Sequence, residues 1–123
     1  MKFTCIIIDD EPAGRQLIEK HITSHPDYKL LKSFEDAGSA IEFVKREAPD
    51  LILSDIDMPK ISGLEIPDIL DNDCPLIIYI TGNPRYLQIA KGDKIIDSLL
   101  KPLSFEVLSK SLEKSTKRLK QLK

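Results

Sequence analysis

Four short apolar runs in this chain end on side chains that can do chemistry. Cys5 to Ile8 runs into Asp9, Asp10 and Glu11, Leu51 to Leu53 into Ser54 and Asp55, Leu76 to Ile80 into Thr81, and Leu99-Leu100 into Lys101. Converging carboxylates repel one another, and a bound cation offsets that cost. Acidic oxygens without a neighbouring histidine or thiol suit a hard ion, Mg2+ above all, at about 2.0 to 2.1 Å. An ammonium at Lys101 would pair with Asp55 at rest and with a transferred oxyanion afterwards, while the Thr81 hydroxyl donates one hydrogen bond and Gly82 leaves room for a phosphodonor. A carboxylate nucleophile, a metal, a cation and a hydroxyl are the parts of phosphoryl transfer, where positioning and charge stabilisation do most of the work. On this reading Asp9, Asp10, Asp55, Thr81 and Lys101 form one site.

The elements that must position these residues follow from the same runs. Each is too short for a helix and is bounded by turn formers, so each reads as a buried strand. If helices separate the strands, all are parallel, and their terminal polar residues gather at the edge where open α/β sheets bind and react. The expected strands are Phe3 to Ile8, Tyr28 to Phe34, Leu51 to Leu53, Leu76 to Ile80 and Ile95 to Leu100. Lysines at 29 and 32 make the second an edge. The first helix runs from Pro12 to about Ser24 with Leu17, Ile18, His21 and Ile22 inward, and the second from Asp36 to Glu47 buries Ala37, Ala40, Ile41 and Val44. A third short helix begins near Gly63, where Pro67 fits only in the first turn and otherwise means that the helix starts later or is bent, and a fourth spans Pro84 to Lys91, stopped by Gly92. A long last helix starts after Ser104 as N-cap and carries Phe105, Leu108, Leu112, Leu119 and Leu122 to the chain's end. Its first half covers the sheet, Ser115 fills a gap in the apolar spacing, and Leu119 and Leu122 run past it toward a linker or partner.

Composition bounds the rest. At 123 residues with 41% hydrophobic and 31% charged residues, residues 1–123 read as one globular domain. No internal repeat or low-complexity tract is visible. No apolar run reaches the ~20 residues of a membrane helix, and Met1-Lys2 leads straight into a strand, which points to a cytoplasmic chain without a membrane role. Cys5 and Cys74 read as buried thiols. The net charge of -2 argues against nucleic-acid binding by the domain itself. From Ser104 onward, however, six Lys or Arg face two Glu, which reads as a solvated helix face.

In order and spacing, Ile8-Asp9-Asp10-Glu11-Pro12, Ser54-Asp55-Ile56-Asp57-Met58-Pro59, Ser62-Gly63-Leu64-Glu65, Thr81-Gly82 and Leu99-Leu100-Lys101-Pro102 resemble the receiver domain of two-component response regulators. The resemblance covers essentially the whole chain. Asp-Asp-Glu-Pro at the start and Leu-Leu-Lys-Pro near the end are similar to regulators that carry a LytTR-type DNA-binding domain downstream. It implies an α/β, flavodoxin-like (CheY-like) doubly wound five-stranded parallel sheet in the order 2-1-3-4-5 with five flanking helices. It also implies that Asp55 accepts phosphate from a sensor histidine kinase. Asp10 and Asp55 would ligate Mg2+ with the main-chain carbonyl of Asp57, Asp9 would hold a metal-bound water, Thr81 and Lys101 would contact the phosphoryl group, and Lys101-Pro102 would be a cis peptide.

By the same resemblance, phosphorylation changes a surface formed by the fourth and fifth helices. The chain would then form a homodimer and control transcription, touching DNA only through a downstream domain. The chain is expected to be no enzyme beyond its own phosphorylation and dephosphorylation, and to be cut from a longer parent. The family places a Tyr or Phe where this chain has Ser98, and there the ring reports the position of the threonine, Thr81 here. Ser98 is too small to do so by the same packing. Asp57 and Asn83 occupy positions that tune dephosphorylation in the family.

Two other functions fit some of these residues. Asp55-Ile56-Asp57 also matches the Asp-x-Asp nucleophile and acid pair of haloacid dehalogenase-like phosphatases, which leaves the Asp9-Asp10 pair unexplained. A receiver that binds partners without phosphate is the other. His21 reads as a packed helix residue and His25 as loop, while Glu11 could be a metal ligand but is already explained as a first-turn carboxylate at the helix dipole.

Overall fold

The computed structural model describes residues 2–122, so Met1 and the end of the basic tail at Lys123 lie outside the described residues. Five strands alternate with helices: β1 (Phe3–Ile8), α1 (Pro12–Thr23), β2 (Tyr28–Phe34), α2 (Ala37–Glu47), β3 (Leu51–Ser54), α3 (Ile66–Leu70), β4 (Leu76–Thr81), α4 (Tyr86–Ile89), β5 (Ile95–Leu100) and α5 (Phe105–Leu122). All strand pairs are parallel and the order is β2-β1-β3-β4-β5. The CheY-like topology expected from the sequence is present, with β2 and β5 at the edges.

The centre of the sheet is buried on both faces because β1, β3 and β4 are apolar at nearly every position rather than at alternate ones, whereas the edge strands β2 and β5 carry polar, partly exposed residues. Cys5, Ile7, Leu51, Leu53, Ile78 and Ile80 pack with Ile18 and Ile22 of α1 and Leu108, Leu112 and Leu119 of α5. Ile6, Ile8, Ile52, Ile77 and Tyr79 point the other way, onto Ala40, Ile41 and Val44 of α2 and Ile66 and Leu70 of α3. Successive residues of one strand thus feed opposite cores. Cys5 and Cys74 are free, buried thiols.

Several helix details differ from the sequence reading. In α1 only Ile18 and Ile22 are buried; Leu17 is exposed, and His21 lies against Phe105 with ring centroids 4.9 Å apart. Leu119 does not run past the sheet but is buried in the core, whereas Phe105 and Leu122 are exposed. The stripe of α5 is set by small hydroxyl residues as well as leucines: Ser111, Ser115 and Thr116 are buried. They are tolerated because they are bonded. The buried Tyr28 hydroxyl meets Thr116 Oγ1 at 3.0 Å and donates to Leu112 O at 3.2 Å, while Thr116 Oγ1 donates to Leu112 O at 2.8 Å. Ser115 Oγ also joins the tyrosine hydroxyl and Leu112 O.

The fourth helix falls short of the expected Pro84 to Lys91 and is a single turn over Tyr86–Ile89. Pro84 has no N–H, and the Asn83 side chain accepts from Arg85 N at 3.0 Å, holding the entry as a turn. At the other end Ala90 leaves helical geometry at φ -82°, ψ 76°, and Gly92 follows at φ 156°. Pro67 sits in the first turn of α3, where its missing N–H costs nothing. A 3-10 turn over Gly63–Glu65 leads into it, closed by a capping box between Ser62 and Glu65.

Candidate functional site

Three backbone hydrogen bonds carry the parallel pairing one residue beyond the strands. Asp9 N donates to Phe34 O at 2.9 Å, Asp55 N to Ile8 O at 2.8 Å, and Lys101 N to Thr81 O at 2.8 Å. Side chains alternate along a strand, so this added rung fixes where Asp9, Asp55 and Lys101 emerge at the carboxyl edge of the sheet.

There Lys101 Nζ lies 3.1 Å from Asp9 Oδ2, 3.3 Å from Asp55 Oδ2 and 3.8 Å from Glu11 Oε1. Asp9 is wholly buried and Asp55 nearly so. Asp9 Oδ1 accepts from Glu11 N at 2.9 Å, and Asp55 Oδ1 accepts from Ile56 N at 2.7 Å. The other oxygen of each carboxylate is left to the ammonium. Burial pushes the Asp55 carboxyl above its usual range, Lys101 opposes that shift, and Asp9 adds to it. Burial works against the Lys101 ammonium, but Asp55 and Asp9 outweigh it and hold its pKa above the ordinary value.

Asp9, Asp10, Glu11 and Asp55 each offer one oxygen, all within 4.8 Å of one another. Among the described residues Lys101 is the cation paired with these carboxylates, while Arg15 bonds the Asp9 main-chain carbonyl at 2.8 Å. An all-oxygen set with more negative than positive charge fits a hard divalent ion. Glu11 belongs to this cluster and is the N-cap of α1, one position before its first turn and still at the positive end of the helix dipole.

Thr81 is buried at the end of β4, and its hydroxyl accepts from Asn83 N at 3.1 Å. Asp57 lies on the loop after β3, but its carboxylate turns to Tyr86, whose hydroxyl donates at 2.8 Å. The Asp-x-Asp spacing therefore does not put two carboxylates on one reacting centre. Ser98 Oγ donates to Ala90 O at 3.1 Å, tying β5 to the end of α4. The Lys101-Pro102 peptide is cis.

Sequence reasoning passed over Gly14. A Cβ there would stand 2.7 Å from Asp9 Oδ2 and 3.5 Å from Lys101 Nζ, so α1 approaches the cluster only because residue 14 has no side chain. Its only signal was a glycine inside a helical pattern, two residues after Pro12. Gly63 is alike: a Cβ would lie 2.2 Å from Asp55 O. Tyr86 gave no signal, because its partner is 29 residues away.

Comparisons with known proteins agree with this geometry. The family model "Response regulator receiver domain" matches residues 5–113. The transcriptional regulatory protein BtsR of Salmonella typhi is 36% identical over 117 residues, 94% of this chain and 47% of that protein. An uncharacterized response regulatory protein of Shewanella oneidensis is 33% identical over 94% of this chain and 50% of its own length. The chain thus spans about half the length of these curated relatives. Among solved structures, the response regulatory domain of mrkE from Klebsiella pneumoniae superposes with a TM-score of 0.85 at 24% identity, over 96% of this chain and 98% of that one. A receiver domain protein from Clostridium thermocellum gives 0.86 at 21% identity, over 98% and 99%. With the family model spanning nearly all of the sheet and the acidic edge, the chain belongs to the response regulator receiver domain family.

Proposed function

We propose that Asp55 is the phosphoacceptor, taking a phosphoryl group from a phosphohistidine of a sensor kinase. The observation that carries this is the pairing of one nearly buried carboxylate oxygen, Asp55 Oδ2, with the Lys101 ammonium at 3.3 Å beside Asp9. In the step, Asp55 Oδ2 forms a bond to phosphorus, the phosphorus–nitrogen bond of the donor breaks, and the imidazole leaves with its electron pair and takes a proton. The product is an acyl phosphate on Asp55. Lys101, tied to both Asp9 and Asp55 beforehand, moves onto the phosphoryl oxygens as Asp55 loses its charge. The Thr81 hydroxyl, accepting from Asn83 N, keeps its own proton for a phosphoryl oxygen.

Asp10 and Asp55, with the main-chain carbonyl of Asp57, would hold Mg2+, and Asp9 would hold a water on it. The chemistry such an ion supplies when bound is neutralisation of the phosphoryl oxygens. The output is a change of the surface around α4 and α5, through which the chain pairs with a second copy. Control of transcription would run through a downstream DNA-binding domain of LytTR type, and the resemblance of the motifs and the half-length match to regulatory proteins support this.

Acetyl phosphate with Mg2+ should add about 80 Da, the mass of one phosphoryl group, to the wild-type chain and nothing to Asp55→Ala. No adduct on either would leave a receiver that binds without phosphate. Steady release of phosphate from added esters would instead indicate a hydrolase.

A further inference from the structure

The loop that follows Asp55 is fastened firmly on one side. Gly63 N and Ser62 Oγ both donate to Ile56 O, at 2.9 and 3.2 Å, and the buried Tyr79 hydroxyl donates to Gly63 O at 2.7 Å. On the other side the loop reaches α4 by one side-chain bond, from Tyr86 Oη to Asp57 Oδ1 at 2.8 Å.

That bond falls on the element least able to hold itself. The turn has four residues, none of them buried, and Ile89 is 62% exposed. A helix this short has no stability of its own. Its position is set by the Tyr86 ring and buried Ala90 packed against the core, and by the hydrogen bonds that grip its two ends. Tyr86 begins it and is held by Asp57, two residues past the acceptor. Ala90 ends it and is held by Ser98 of β5, three residues before Lys101. Both grips therefore lead back to the acidic edge, and the serine side chain fixes the end of the turn without reporting on Thr81.

We propose that Tyr86 is a positioning residue whose hydroxyl, through Asp57, carries the state of the acceptor loop to α4. This rests on Asp55 as the phosphoacceptor. Any change that re-aims Asp57 is felt at the first residue of α4, and a single turn with no buried side chain offers little resistance. The grip is one charge-assisted hydrogen bond at an exposed hydroxyl, so it can form and break while the Tyr86 ring stays packed against the core on the α2 and α3 side of the sheet.

Amide hydrogen exchange at residues 87–91 tests this on the whole chain, read by NMR with and without acetyl phosphate and Mg2+, with intact mass followed in parallel. In the wild type, exchange at these amides shifts when the adduct forms. Tyr86→Phe should take the adduct to the wild-type extent, exchange roughly tenfold faster at residues 87–91 in the free protein, and lose the adduct-dependent shift there. Read in the free protein alone, Asp57→Asn keeps an acceptor oxygen and should exchange at residues 87–91 as slowly as the wild type, whereas Asp57→Ala should exchange there as fast as Tyr86→Phe. An adduct-dependent shift that survives in Tyr86→Phe overturns the coupling alone. A wild-type chain that takes no adduct overturns the acceptor reading as well, so the two failures are distinguishable.

Discussion

Gly14 shows how much one missing methyl group decides at the acidic edge. Replacing it by Ala gains about 1 kcal/mol of helix propensity. The new Cβ would press on Asp9 Oδ2 from 2.7 Å, and crowding of that kind costs about 1–3 kcal/mol. Gly14→Ala should therefore unfold in urea within about 2 kcal/mol of the wild type. Because Asp9 is what holds Lys101 beside Asp55, its rate of phosphorylation by acetyl phosphate should nevertheless fall by roughly tenfold or more. A variant that keeps its rate would mean that Asp9 yields without disturbing the ammonium. Residues at strand ends were legible in the sequence because a strand fixes where its next residue emerges. Gly14 and Tyr86 were not, because their importance comes from approaches between segments that share no pattern.

At the level of elements, the apolar runs and their breakers located all five strands, and the proline and glycine positions located most helix ends. Hydrophobic spacing set Ser115 in the stripe of α5 but missed Ser111 and Thr116, which are buried beside it. A period argument counts hydroxyl residues as outward, whereas a bonded hydroxyl is neutral enough to face a core. Spacing also overextended α4, since proline tolerates a helix start but Asn83 stabilised a turn instead. The 3-10 turn after the acceptor loop gives a sharper test. Gly63 lets that turn lie against the Asp55 carbonyl, and a Cβ at 2.2 Å from a main-chain oxygen cannot be accommodated by a side-chain rotation. Gly63→Ala should lose roughly 3 kcal/mol in urea unfolding, with an ellipticity spectrum still that of a mixed α/β fold. Wild-type stability would show that the turn lifts freely off the loop.

Across the whole molecule, groups buried in the two cores set the behaviour at high pH. Burial, aided by Asp50, pushes the Cys5 thiol up to about 12 from an ordinary 9.0. Burial likewise raises the Tyr28 and Tyr79 phenols above 10.0. Between the ordinary and the raised pKa the unfolded chain has released a proton that the native chain still holds. The contribution is therefore complete below about pH 9 and is lost as pH rises toward 12. Urea midpoints should be level with respect to these groups up to about pH 9 and then decline, Cys5 alone supplying about 1.4 kcal/mol per pH unit. Cys5→Ala should decline less steeply over the same range, and equal slopes would count against a thiol protonated in the core. The polar seam beneath α5 has a separate consequence. Leucines alone would let this helix slip or roll on its bed at small cost, whereas Tyr28 bonded to Leu112, Ser115 and Thr116 accepts one registration only. A protein gripping the outer surface of α5 would therefore meet a rigid bar indexed to the edge strand β2, and force applied there would travel through one phenol into the far margin of the sheet.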